Sequence, residues 1–265
     1  MTATIDEPTT VVRDRIVGRG SPLLPDEPST LGELFIDAVN THRLPDALNY
    51  KLNNDWAAIS SDEMLDRMQL IAYGLCKLGI RRGDKAAILA ANSPEWSLSD
   101  GGCQFAGIVD VPIYTTLAPS SVRYIINDSA ARVFFIEDVA AYERIADAIS
   151  DCASLEKFIF FKPTAELPAN AISLSELEQL GAEMRSEQPD LLSSIANQIK
   201  PQDLATLIYT SGTTGEPKGV MLSHSNIISN VIDAGEKYDF STHDIALSVL
   251  PCTHVFERSA MYLYI

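Results

Sequence analysis

Six consecutive residues, Thr210, Ser211, Gly212, Thr213, Thr214 and Gly215, carry only hydroxyls or no side chain, and Glu216, Pro217, Lys218 and Gly219 follow them. Glycines without Cβ let backbone N–H groups approach an anion, hydroxyls donate to phosphate oxygens, and a lysine adds a mobile positive charge. The segment has the makings of a cradle for a polyphosphate. The plain alternative is a turn between two strands, with Gly212 and Gly215 supplying positive φ and the hydroxyls closing the turn. Two other phosphate loops are excluded by spacing. Counting the P-loop pattern from Gly212 puts Pro217 where its second glycine belongs, and no dinucleotide-type glycine triplet follows a strand.

The runs on either side decide how such a loop is held. LATLIYT before it and GVMLS after it are short, apolar and β-rich, so the loop reads as a hairpin tip gripped by two buried strands. The ordered stretch TSGTTGEPKG, preceded by that apolar strand, resembles the signature of the adenylate-forming (AMP-binding) superfamily, with Glu216 on its variable position. The resemblance continues through STLGELFIDAV, the long run from Trp56 to Asp138, and LPCTHVFER, which together resemble the first half of long-chain fatty acyl-CoA synthetases from about residue 30 onward. PIYTTLAP and HVFER point to the fatty-acid branch. Cys252 and Thr253 depart from that pattern, which expects a larger apolar residue and then Ser or Ala.

The resemblance implies a long-chain fatty acid-CoA ligase. A carboxylate is a poor acyl donor, and joining it to AMP supplies a leaving group. The acid attacks the α-phosphorus of ATP, pyrophosphate departs, and the thiol of coenzyme A displaces AMP. Charge grows on phosphate oxygens, so preorganised donors and Mg2+ are expected to carry most of the catalysis. By resemblance, Thr210, Ser211, Gly212, Thr213, Thr214 and Gly215 grip the β- and γ-phosphates, Lys218 steadies the loop or neutralises pyrophosphate, and His254 lies beside the acyl carboxylate and the thiol route. Read as residues alone, the plain alternatives are a solvated hairpin lysine for Lys218 and a satisfied structural histidine for His254. Glu257 and Arg258 read as a structural ion pair in preference to catalytic groups, and Trp56 and Trp96 as packing residues. Two other functions stay open: another acyl-activating ligase taking aryl, short-chain or amino acids, and a non-catalytic nucleotide-binding module.

Composition narrows the partners. A net charge of −16 over 265 residues opposes a nucleic-acid backbone, so phosphate must be recognised locally. No run approaches the length of a spanning helix, and the acidic start MTATIDEPTTVVRD contradicts a secretory signal. The expected partners are a fatty acid, ATP and coenzyme A, with peripheral membrane contact left open and the cytoplasm as compartment. Cys76, Cys103, Cys152 and Cys252 are scattered without metal-ligand spacing and read as reduced, buried residues.

Helix and strand signals alternate from Thr30, which predicts an α/β fold. In the terms of the resemblance this is the N-terminal portion of the adenylate-forming enzyme large domain, mixed sheets flanked by helices, truncated before the C-terminal domain. Residues 1–28 are expected to be a flexible lead-in and 29–265 an incomplete AMP-binding domain. Thr30 with Glu33 and Ser60 with Glu63 predict helix starts, and Asn53, Asn54 and Asp55 a hairpin turn. Met64, Met68, Ile71, Leu75 and Leu78 form a core stripe on the second helix. KAAILA, IVDVPIY, ARVFFIE and EKFIFF read as strands, and Ser93-Pro94, Pro119 and Val139 mark further helices. Two helices are expected around Leu174–Met184 and Leu191–Gln198. Ser223 caps another helix, and DIALSVLP reads as a buried strand leading to His254. The apolar end SAMYLYI reads as a run without a packing partner, hence a fragment. The magnesium-binding acid, the ribose-binding aspartate and the catalytic lysine of the family would lie outside this chain, and so the 265-residue polypeptide is expected to form little acyl-adenylate.

Overall fold

The computed structural model describes residues 27–164, 166–210, 217–238 and 241–265. Local chemistry sets the first elements. Thr30 accepts from the backbone of Glu33, whose side chain returns the bond, and this capping box starts α1 (Leu31–Thr41). β1 (Leu48–Leu52) and β2 (Asp55–Ile59) pair antiparallel across Asn53 and Asn54, both at positive φ, as a two-residue hairpin requires. Ser60 caps α2 (Ser61–Lys77), and Gly79 at φ +85° lets the chain turn away.

Strands and helices then alternate: β3 (Lys85–Leu89), α3 (Pro94–Ala106), β4 (Val109–Pro112), α4 (Pro119–Ser129), β5 (Val133–Asp138), α5 (Val139–Ile149) and β6 (Lys157–Lys162). The polar stretch that follows holds α6 (Leu174–Glu187) and α7 (Leu191–Ala196) where two helices are predicted, together with a short unpredicted edge strand, β7 (Ala171–Ser173). β8 (Leu204–Thr210), β9 (Lys218–Ser223), α8 (His224–Lys237) and α9 (Val255–Tyr264) complete the described order. Seven strands form one sheet in the order β7-β6-β5-β3-β4-β8-β9, parallel throughout except for β9, which runs antiparallel to β8.

Helices cover both faces. Ala86, Ile88, Val133 and Phe135 pack with residues of α1, α2, α3, α6, α8 and α9, while Ala87, Leu89, Phe134 and Ile136 pack with α4 and α5. Burial on both sides explains why β3 and β5 read as unbroken apolar runs. Of the predicted stripe, Met64, Met68, Ile71 and Leu75 are fully buried on α2, while Leu78, its C-cap, is half-buried against the core; all four cysteines are free and buried.

α2 and α6 approach closely because glycines face each other's backbone. A Cβ on Gly181 would lie 1.9 Å from the Leu70 carbonyl oxygen, and one on Gly74 would lie 2.3 Å from that of Leu177. Neither helix can yield without shifting whole turns. Gly181→Ala is expected to lower unfolding free energy by about 2 kcal/mol through overpacking, despite the better helix propensity of alanine. Urea titration checks this, as a lower midpoint at unchanged slope.

Four expectations require correction. The loop is not flanked by two buried strands: β8 is buried, but β9 is the outer strand, with Val220 43% and Met221 72% exposed. DIALSVLP does not form a strand. Asp244–Leu250 is irregular, and Ile245 and Leu247 are 88% and 78% exposed, because no strand among the described residues offers that segment a ladder. Trp96 is a core residue, but Trp56 is 64% exposed with the Lys51 ammonium 4.4 Å over its ring. The apolar run at residues 259–265 has a partner: Tyr262 is buried, and Met261, Leu263 and Ile265 pack on the core. Of the expected lead-in, residues 1–26 lie outside the described residues.

Candidate functional site

All strands but β9 end on one edge of the sheet, and the chemistry-bearing segments gather there. Thr210 is the last residue of β8 and pairs with Lys218, the first of β9, so the two close the mouth of the signature loop. Both are exposed, and the Lys218 ammonium has no hydrogen-bond or ion-pair partner among the described residues. Ser211, Gly212, Thr213, Thr214 and Gly215 lie outside the described residues. β8 is fixed from both faces below that mouth. Thr206 Oγ1 donates to the Asp110 backbone oxygen at 3.2 Å on one side, and the Tyr209 hydroxyl donates to Asp128 Oδ2 at 2.5 Å on the other. Burial and the Asp128 carboxylate both raise the Tyr209 phenol, which stays protonated and keeps donating.

The same edge positions His254. Asn92, just beyond β3, donates from Nδ2 to Ser248 Oγ at 2.8 Å and to the Leu250 carbonyl at 2.7 Å. Its Oδ1 accepts from the Cys252 amide at 2.8 Å. One amide side chain thus pins the exposed segment that leads into α9. His254 is the N-cap of α9, and its Nδ1 accepts from the Phe256 amide at 3.2 Å. Using Nδ1 as an acceptor puts the ring proton on Nε2 of the neutral imidazole, leaving a donor on an exposed side chain. Beside this, Glu137 at the end of β5 accepts from the Ala91 amide at 3.0 Å and from Lys162 at 2.8 Å.

The expected pairing of Glu257 with Arg258 is not formed, because neighbours on a helix do not face each other. Arg258 turns inward and bonds Asp100 and Asp110, at 2.7 Å to Asp110 Oδ1. It also donates to Thr206 Oγ1 at 2.8 Å and to the Tyr262 hydroxyl at 2.7 Å. The Tyr262 hydroxyl donates in turn to Asp100 Oδ2 at 2.6 Å, and Gln104 Nε2 reaches Asp110 Oδ1 at 3.2 Å. Asp100, Asp110 and Arg258 are all essentially inaccessible to water. Burial pushes the Asp110 carboxyl up to about 6, against the pull of Arg258. The two carboxylates hold the Arg258 guanidinium firmly protonated in spite of its burial.

His224 is a second feature that local sequence did not reveal. It is 1% exposed, and its Nδ1 accepts from the Leu31 amide at 3.2 Å, tying α8 to α1. Burial lowers its pKa to about 4, so it is neutral at ordinary pH and serves as a strut. It also lines a half-open cavity of about 190 Å³ with Arg82, Lys85, Asp203 and Leu204. That cavity lies at the amino-terminal ends of β3, β4 and β8, the sheet edge opposite the signature loop. Among the described residues no three His, Cys, Asp or Glu side chains converge to hold a metal.

An open, nearly all-parallel α/β sheet carrying a hydroxyl-and-glycine loop at the carboxyl end of a strand places its ligand site outside those carboxyl ends. The AMP-binding enzyme family matches residues 37–265, and the chain belongs to that family. It is 32% identical over 252 residues to the long-chain-fatty-acid–CoA ligase ACSBG1 of Mus musculus, covering 93% of this chain and 34% of the mouse protein. It is 29% identical to the peroxisomal long chain acyl-CoA synthetase 7 of Arabidopsis thaliana, covering 89% and 34%. Its fold is similar to the inhibitor-bound N-terminal domain of FACL13 from Mycobacterium tuberculosis (TM-score 0.66, 25% identity, 88% and 54% covered). It is also similar in fold to a fatty acyl-adenylate ligase from L. pneumophila in complex with acyl adenylate and pyrophosphate (TM-score 0.64, 22% identity, 89% and 38% covered). The chain spans about a third of the length of the curated relatives it matches.

Proposed function

We propose that this chain is the N-terminal part of an ATP-dependent long-chain fatty acid-CoA ligase, with residues 29–265 belonging to its AMP-binding domain. The observation that carries this reading is the hairpin mouth at Thr210 and Lys218, at the carboxyl edge of the sheet, with an exposed lysine that no described residue neutralises. Thr210, Ser211, Gly212, Thr213, Thr214 and Gly215 hold the β- and γ-phosphates of ATP, and Lys218 offsets the charge of the departing pyrophosphate. The fatty-acid carboxylate attacks the α-phosphorus, and the coenzyme A thiol then displaces AMP from the acyl-adenylate. His254 offers its Nε2–H on the same edge, where it orients the acyl carboxylate. Mg2+ carried by ATP would supply part of the charge neutralisation of the triphosphate, and Lys218 the rest. The acyl chain class rests on the similarity to long-chain-fatty-acid ligases, and the cytoplasm is the proposed compartment.

Calorimetry with ATP-Mg tests the reading. Each charge-assisted bond to phosphate contributes about 1.5–3 kcal/mol, so Lys218→Ala is expected to weaken binding by roughly 10- to 100-fold, and Thr214→Ala by a similar factor. Unchanged affinity in both variants would remove the phosphate-loop assignment. Because the chain spans a third of its relatives, pyrophosphate release by the 265-residue polypeptide is expected to be near background. Rates of an ordinary synthetase would contradict that part.

A further inference from the structure

Arg258 stands between the two halves of the candidate site. Its guanidinium grips Asp100 on α3, Asp110 on β4 and Thr206 on β8. From Thr206, β8 runs four residues to Thr210 at the loop mouth, roughly 13 Å at strand rise. In the other direction, the Arg258 amide donates to the His254 carbonyl at 3.1 Å, one helical turn away. One buried side chain therefore brackets the helix capped by His254 to the strand that carries the phosphate loop.

The later turns of that helix pack on the core through Met261, Tyr262 and Leu263, whereas Val255 and Phe256 in its first turn, beside His254, are exposed. The segment before it, Asp244–Leu250, is exposed and irregular, and among the described residues Asn92 pins it through Ser248, Leu250 and Cys252. The Arg258 guanidinium lies 5.8 Å from the Trp96 ring centre and 5.5 Å from that of Tyr262, which fixes its plane as well as its position. Trp96 Nε1, Ser99 Oγ and Gln104 Oε1 lie buried without a partner among the described residues in the same region of α3. Two carboxylates and one cation held away from water stabilise a fold no better than apolar side chains of the same volume. Direction is what such a cluster supplies, because five guanidinium donors in a rigid plane accept only one arrangement of acceptors.

We propose that Arg258 is a positioning residue: acting through α9 and β8, it holds His254 and the paired strand ends at Thr210 and Lys218 at one separation and orientation, without touching a substrate. The consequence for acyl activation rests on the function proposed above, whereas the bracket itself does not. The test uses the 265-residue chain with two readouts of position. The first is the 15N spectrum of His254, whose Nδ1 acceptor role locks the Nε2–H tautomer. The second is the distance distribution between spin labels at Met221 on β9 and Phe256 on α9, both exposed, with the buried native cysteines left unlabelled.

Arg258→Lys keeps the charge and loses the planar fork. It is expected to average the His254 nitrogen shifts between tautomers and to broaden the label distribution at least twofold, while His42, His224 and His243 keep their shifts. If Arg258→Lys does not fold, Tyr262→Phe decides, because it deletes the hydroxyl that accepts from Arg258 Nε and donates to Asp100 while retaining the ring. The same changes are expected there at smaller amplitude. A folded variant with a lower melting temperature but unchanged His254 shifts and label distances would overturn the proposal and leave Arg258 merely structural. ATP-Mg calorimetry on the same samples separates the two ideas. No ATP binding by the unaltered chain counts against the function alone, whereas ATP binding with both position readouts unmoved counts against the bracket alone.

Discussion

Arg258→Met is expected to lower the unfolding free energy by roughly 3–5 kcal/mol, the cost of leaving buried carboxylates without their cation. Methionine fills similar space, so packing accounts for little of the loss. Asp100 and Asp110 keep Tyr262 and Gln104 as donors, but neither of these carries a charge. Asp110, whose carboxyl burial already raises, escapes the penalty by taking up a proton, which makes the destabilisation smaller at pH 5 than at pH 8. Guanidinium titrations at the two pH values check this. A loss under 1 kcal/mol at pH 8, with an intact fold, would mean that water reaches the cluster after the change.

Asp110→Asn is expected to alter the pH dependence of stability. Burial lifts the Asp110 carboxyl from 3.8 to about 6, so the folded chain holds this proton more tightly than the unfolded chain does. Its stabilising contribution is complete below about pH 4 and is lost as pH rises through about 6, a swing of roughly 3 kcal/mol. Asparagine keeps an acceptor for Arg258 and Gln104 and can donate to Thr206 Oγ1, but it cannot titrate. Glu137, Glu156 and Glu176 have pKa values lowered by their hydrogen bonds and work in the opposite sense, gaining stability as pH rises. The informative quantity is the difference between Asp110→Asn and the unaltered chain. That difference should shift in favour of asparagine between pH 4 and 7 and be flat above. Parallel stability curves would place the ionisation of Asp110 outside this window.

The caps and turns were legible because each is written within a few residues. Thr30 with Glu33, Asn53-Asn54 and Ser223 form the predicted local bonds, and the alternation of strand and helix gave the sheet its class. DIALSVLP misled because period two is necessary for a strand but not sufficient. Ile245, Leu247 and Val249 alternate correctly, yet a strand exists only where a neighbour supplies hydrogen bonds. The cluster around Arg258 left no local trace. Its partners stand 158 and 148 residues away in sequence, and Asp100 inside an ordinary helical run looks like a solvated side chain. Asn92 was equally silent, since its partners lie about 160 residues further on.

By itself the sequence determined the local chemistry: a hydroxyl-and-glycine loop followed by lysine, helices opened by Ser, Thr and Pro, and apolar runs long enough to be buried on both faces. Hydrogen bonds over three or four residues and the side-chain period of a helix or strand are properties of short segments. Tertiary structure decided that β9 stays at the edge, that His254 caps a helix with its Nε2–H left over, and that Arg258 turns from Glu257 toward Asp100 and Asp110. Those choices depend on which surfaces the sheet brings together, and on burial, which makes an unpaired charge too costly to leave alone.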